Sequence, residues 1–365
     1  MSSIFSYPDD SKEDVLSDLE GATLEGGWTV SKRTTRKSFQ SGSCFSVGYI
    51  AEREGQQAFM KAFDFFDALQ KEDPIKALNE LTETYLFERE LLEVCGEAKM
   101  SKIVRAISHG TIKDARAPLG NIFYLLFEMA DGDVRAQLVE RNLSFAWRLQ
   151  SLHHIATALQ QLHRRGIHHQ DLKPSNVLIF SSVESKLGDL GRAHYVNKPA
   201  PHDNAQFPGA FRYSSPELLY NAPMSDTIFQ KSANDLYLFG SMMSFYVTGT
   251  PFTPMLLENL EEDYRPFVMY GNWRGFYADV MPHLIVAYEK AISIVISSLR
   301  ETGLTENFQR RYIELLRYAT EPDPFKRGHP TSRRQKFGNP YSLERFISEA
   351  AVLAKASFVK DEKHA

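Results

Sequence analysis

The feature that most limits what this chain can become is the stretch His169 to Asn176, read His-Gln-Asp-Leu-Lys-Pro-Ser-Asn, with Asp189 opening Asp-Leu-Gly eighteen residues after Asp171. Asp171, Lys173, Asn176 and Asp189 are polar groups threaded among Leu172, Val177, Leu178, Ile179, Phe180 and Leu187, side chains that favour burial. Charges held in such company need partners or a function. The carboxylates and the amide offer oxygen ligands for a hard divalent cation. The lysine offers a cation for phosphate oxygens, and a carboxylate can accept the proton of an attacking hydroxyl. The combination suits the handling of a nucleoside triphosphate, so the rest of the chain is read for the other parts such a site needs.

At 365 residues the chain is long for one domain and suits two lobes with one cleft. Its two cysteines, Cys44 and Cys95, can build neither a disulfide framework nor a cysteine zinc site, which points to a reducing, cytoplasmic setting. The first ten residues lack the pattern of a secretory signal, and no apolar run approaches the ~18 residues of a membrane span, so no membrane is expected. Within a net charge of −4, the first thirty residues hold seven acids against one base. Nothing in the bulk charge calls for nucleic acid, and the oligomeric state is unreadable from sequence.

Residues 1–26, acidic and rich in Ser and Gly, read as a mobile or loosely docked arm. Short strands follow, with a turn at Glu54 and Gly55 and Lys61 on the strand Ala58–Phe63. A helix is expected from Ile75 to about Cys95, where Ile75, Leu78, Leu81, Tyr85, Leu92 and Cys95 draw one apolar stripe. Glu88 falls inside that stripe and is the acid that most needs a buried cation. Two further strands are expected at Ile103–Ile112 and Asn121–Ala130. A helix then runs from an N-cap at Ser144 to Gly166 and leads into the octapeptide. Near residues 255–310, Leu284, Ile285, Ala287, Ile292, Ile294 and Val295 read as the core face of an added helix.

The octapeptide and the following Asp-Leu-Gly resemble the catalytic loop and magnesium tripeptide of eukaryotic-type protein kinases. Other matches fall in the right order over roughly residues 28–330. They are Lys61 on the third strand, Glu88 on the next helix, Phe127 at the gatekeeper place before the hinge Glu128–Gly132, Ser215-Pro216-Glu217 closing the activation segment, Asp235, and Arg327. The resemblance implies an α+β, bilobal protein-kinase-like fold. It would have a small β-rich N-lobe with one key helix over 27–130, a larger helical C-lobe over 131–340 and a C-terminal helix and tail over 341–365. It implies ATP and Mg2+ as cofactors and a protein, Ser/Thr-bearing substrate. By matching position, Lys61 would hold phosphates and Glu88 would hold Lys61. Asp171 and Lys173 would serve the transfer, and Asn176 and Asp189 would bind the metal. Ser41, Ser43, Ser46, Phe59, Phe127 and Leu178, with backbone groups of Glu128 and Ala130, would contact the nucleotide. Glu217 and Arg327 would form a buried structural pair.

The chain departs from the family at several places. Serines 41, 43 and 46 stand where the phosphate-covering loop keeps glycines, and Phe59 replaces the small residue that packs on adenine, with Gly48 where the facing valine would be. Gln170 replaces the arginine that receives an activation-loop phosphate, and residues 190–213 contain no Ser or Thr. Together these two point to a kinase that needs no activation-loop phosphorylation. Ala210 replaces a threonine that touches the catalytic aspartate and lysine. Two other readings stay open: a pseudokinase used as a binding or scaffolding module, and a small-molecule phosphotransferase of the same fold.

Overall fold

A computed structural model describes residues 16, 18–34, 46–63, 65–140, 143–181, 183–203 and 205–364, without the side chains of 67, 139, 140 and 358–364. Two compact units divide them, one holding the residues up to Arg89 with Arg105–Met129, the other Glu90–Val104 and everything from Ala130 on.

The first unit is built on an antiparallel sheet. Its strands are β1 (Thr29–Arg33), β2 (Ser46–Arg53), β3 (Gln56–Phe63), β4 (Ala106–Lys113) and β5 (Asn121–Glu128), in the order β1-β2-β3-β5-β4. Glu54 and Gly55, both at positive φ (49° and 78°), close the β2–β3 hairpin with the two-residue geometry that matches strand twist. Alternation then sorts the side chains. Tyr49, Ala51, Ala58, Met60, Ala62, Ile122, Tyr124 and Leu126 share one core with Leu16, Leu19, Leu24, Trp28 and Val30. The stretch expected to be a mobile arm thus supplies part of a core from Leu16 onward; residues 1–15 and 17 lie outside the described residues. Its acidic, Ser/Gly-rich composition hid three leucines, Leu16, Leu19 and Leu24, that join the core. On β3, Lys61 and Phe63 alternate with the residues of that core, and Phe63 meets Tyr85 of helix α2 at 5.1 Å between rings. That helix, Pro74–Glu97, follows the short α1, Phe66–Leu69. Its expected stripe begins late. Ile75 is 75% exposed, whereas Leu81, Tyr85, Glu88, Leu91, Leu92 and Cys95 are buried.

The second unit carries β6 (Gly132–Asp133), β7 (Ile167–His168), β8 (Val177–Phe180), β9 (Glu184–Leu187) and β10 (His194–Tyr195) as small ribbons among helices. The helices are α3 (Val134–Glu140), α4 (Phe145–His163), α5 (Pro216–Leu219), α6 (Thr227–Thr248), α7 (Phe252–Glu258), α8 (Tyr277–Glu301), α9 (Glu306–Thr320), α10 (Pro330–Arg333) and α11 (Glu344–His364). Ser144 caps α4 by accepting from Trp147 N–H, as expected, and α4 ends at His163 with Gly166 in the left-handed turn beyond it. Helices α6 and α9 approach so closely that a Cβ at Gly240 would lie 2.5 Å from Thr320 and 2.8 Å from Ala319. Helix α11 packs on α4, with His153 Nδ1 at 3.1 Å from the Ile347 carbonyl. In α8, Leu284, Ala287, Ile292 and Val295 are core, but Ile285 and Ile294 are exposed, contrary to expectation. Also contrary to expectation, α8 is long and apolar enough by composition to cross a membrane. It packs along one face on α6, α7 and α9, as a core helix does.

Candidate active site

The first unit brings Lys61 and Glu88 together. Lys61 Nζ donates to both carboxylate oxygens at 2.9 and 2.8 Å, and the Glu88 side chain is almost fully buried. The helical stripe aims Glu88 at the sheet, and alternation aims Lys61 at the helix. On the same sheet face, Phe59 and Phe127 are cross-strand partners. A Cβ at Gly48 would lie 2.8 and 3.0 Å from the Phe59 ring and 2.5 Å from Thr34 Oγ1, so the ring occupies the room a side chain at 48 would need. Ser46 opens β2 opposite Phe63. Ser41 and Ser43 lie outside the described residues. The N–H of Glu128 donates to the Arg105 carbonyl at 3.1 Å, so it is not offered to a ligand.

In the second unit the octapeptide is knitted around Asp171. Its Oδ2 accepts from Lys173 Nζ at 2.6 Å and from Asn176 Nδ2 at 3.2 Å, and Asn176 Nδ2 also reaches the Asp171 carbonyl at 2.8 Å. Its Oδ1 accepts the backbone N–H of Ala210 at 2.8 Å. The contact that a threonine side chain would make at 210 is therefore made by the main chain. Gly209, which the sequence reading passed over, makes this possible: a Cβ there would lie 2.4 Å from the Gln170 carbonyl and 2.7 Å from Asp171 Oδ1. Asp189, half-buried with φ 58°, follows Gly188, whose N–H donates to the Asn176 carbonyl at 2.9 Å and whose carbonyl is 3.0 Å from His169 Nε2. Leu178 is half-buried on β8 beside Gly188, and Ala130 lies just ahead of β6.

The loop is anchored to α6 through Asp235, which is fully buried. Its oxygens accept from His163 Nε2 (2.8 Å), His169 N–H (2.9 Å), Gln170 N–H (2.8 Å) and Gln170 Nε2 (2.9 Å). Burial alone would raise its pKa, but the His163 hydrogen bond and the neighbouring histidines outweigh it and hold the carboxyl below the ordinary range. Gln170 is a clamp: at φ 60° it turns Nε2 onto the Lys231 carbonyl as well, at 2.8 Å. His168 and His169 part, His168 Nε2 to Ser232 Oγ at 3.0 Å and His169 to Gly188. Further along, Arg327 and Glu217, both fully buried, form two parallel bonds of 2.8 Å.

Residues 50–331 match the family model of the protein kinase domain. Among curated proteins, the chain is 25% identical over 253 residues to serine/threonine-protein kinase PKH3 of Eremothecium gossypii, covering 66% of this chain and 31% of that one. It is 32% identical over 111 residues to serine/threonine-protein kinase ksg1 of Schizosaccharomyces pombe (27% and 18% covered). It is 33% identical over 131 residues to Aurora/IPL1-related protein kinase 2 of Caenorhabditis elegans (35% and 40% covered). The chain thus spans two fifths or less of the length of each of these relatives.

Proposed function

Because the chain belongs to the protein kinase domain family, we propose that it transfers the γ-phosphate of ATP, with magnesium, to a serine or threonine hydroxyl of a protein. One observation carries this reading: within each unit the charges that phosphoryl transfer needs are held by partners, Lys61 on both oxygens of Glu88 in the first, and Asp171 on Lys173, Asn176 and Ala210 in the second. Phosphoryl transfer asks for little covalent chemistry, so positioned charge is most of the catalysis.

In this reading Lys61, its ammonium fixed by Glu88, binds the α- and β-phosphate oxygens. Asp171 orients the acceptor hydroxyl and takes its proton, and Lys173 steadies the γ-phosphate oxygens. With its Nδ2 turned to Asp171, Asn176 presents Oδ1 on the other side of the amide. Asn176 and the Asp189 carboxylate would hold magnesium, both offering the oxygen ligands that a hard divalent cation takes. Magnesium held there would supply positive charge to offset the phosphate oxygens. By matching position to the family, Phe59 and Phe127 of the first unit would contact adenine, and so would Leu178 and the Ala130 backbone of the second. Serine or threonine as acceptor rests on the Lys-Pro after Asp171 and on the printed names of the relatives. A cytoplasmic setting belongs to the same proposal and rests on cysteine usage alone.

A second reading, a kinase fold used as a binding module, is favoured by the Phe59 ring lying over Gly48. Incorporation of labelled phosphate from ATP and magnesium into the chain and into a generic acceptor protein separates the two. Wild type should label and Asp171→Ala should lose the signal ~10² to 10⁴-fold. No label in either, with no thermal shift on ATP and magnesium, supports the binding module instead.

A further inference from the structure

The segment that follows Asp-Leu-Gly is fastened by its own side chains. His194 Nδ1 lies 2.7 Å from Asp203 Oδ1, and the N–H of Ala200 donates to Asp203 Oδ2 at 2.7 Å. His202 Nε2 is 3.0 Å from the Ala193 carbonyl, Val196 N–H donates to Gly166 O at 3.0 Å, and Lys198 pairs with Glu90 of α2. β10, which contains His194, pairs with β7, which leads into the octapeptide. Asp203 is three-quarters buried by its side chain. Burial alone would raise its pKa, but the His194 bond, the Ala200 N–H and the charges of His194 and Lys231 outweigh it, so its carboxyl is held below the ordinary range.

Lys231 is the other half of the argument. It is buried on α6, where desolvation pulls its pKa down against the charges of Asp203 and Asp235. Its carbonyl receives Gln170, the residue before Asp171. Lys231 thus adds charge that favours ionised Asp203, and its backbone carbonyl receives the Gln170 clamp.

We propose that Asp203 does, as an encoded carboxylate, what a phosphate does in a switchable activation segment: held by His194 and Ala200, it fixes the segment that delivers Gly209 and Ala210 onto Asp171. Asp203 is a positioning residue, and His194 is its partner. This rests on the kinase reading for its consequence in catalysis but not for the clasp itself.

The test is hydrogen–deuterium exchange on the full chain after phosphatase treatment, for wild type, Asp203→Asn, Asp203→Glu and His194→Gln. In the treated wild type, peptides covering 191–203 should already be protected. In Asp203→Asn and His194→Gln the same peptides should exchange about tenfold faster while α6 and α9 are unchanged, and Asp203→Glu should restore most of the protection. In phosphate transfer, Asp203→Asn should lose about tenfold in kcat with the ATP KM unchanged. Unchanged protection in either loosening variant overturns the proposal, as does a wild-type segment protected only after phosphorylation of Tyr195 or Tyr213. If no form transfers phosphate while exchange follows the expected pattern, the kinase reading fails and the clasp stands.

Discussion

Gly48 and Phe59 form the sharpest exchange of size at single positions. With the ring where a side chain at 48 would go, Gly48→Val should cost about 1 to 3 kcal/mol by overpacking and reduce the thermal shift given by ATP. Adding Phe59→Ala should return much of both, and an additive cycle of melting temperatures would show that the two positions are not exchanging volume. At this scale the sequence was most legible where charge stood among apolar neighbours: Glu88 in a helical stripe, and Asp171 and Asn176 in a buried loop. Asp203 had no such marker. It is one acid in a loop, and its meaning comes from His194, nine positions earlier, which only the fold brings within 2.7 Å. Gly209 was equally silent, because a glycine shows in sequence that room is needed but not for what.

Among elements, the Glu217–Arg327 pair joins α5 to the loop after α9, and Arg327 also donates to the carbonyls of Glu321 (2.9 Å) and Ala233 (3.1 Å). Glu217→Gln should lower unfolding free energy by about 3 to 5 kcal/mol, read as a fall in denaturant midpoint, because it leaves a guanidinium buried without its counter-charge. Arg327→Lys should be nearly as damaging, since an ammonium cannot reproduce the planar fork. Strand alternation, the Glu54–Gly55 turn and the Ser144 cap could be read locally because each depends on a few adjacent residues. The start of the α2 stripe could not: periodicity predicts a face, and whether Ile75 has anything to pack against depends on where the rest of the chain goes.

Taken as a whole, the molecule should be sensitive to acid. Burial holds His168 neutral, with its pKa pushed down to about 3 and neighbouring His163 adding to the effect. Burial and the Lys102 charge push His154 down to about 4. The unfolded chain protonates both near pH 6.5, so their contribution to stability is complete above that value and is lost as pH falls toward about 4 and then about 3. Melting temperature should fall between pH 7 and 4.5, and His168→Phe should flatten that slope; an unchanged slope would show that His168 is not protonated on unfolding. The family match runs from 50 to 331, yet Leu16, Leu19, Leu24 and Trp28 before it, and Leu343, Phe346 and Leu353 after it, are buried. A fragment trimmed to the matched stretch would bare one face of the sheet and the side of α4 that α11 covers. Recombination, fusion or proteolytic trimming at that boundary would therefore produce a sticky, failing remnant rather than a smaller working domain, and these flanks can drift in sequence only as far as the surfaces they roof will tolerate.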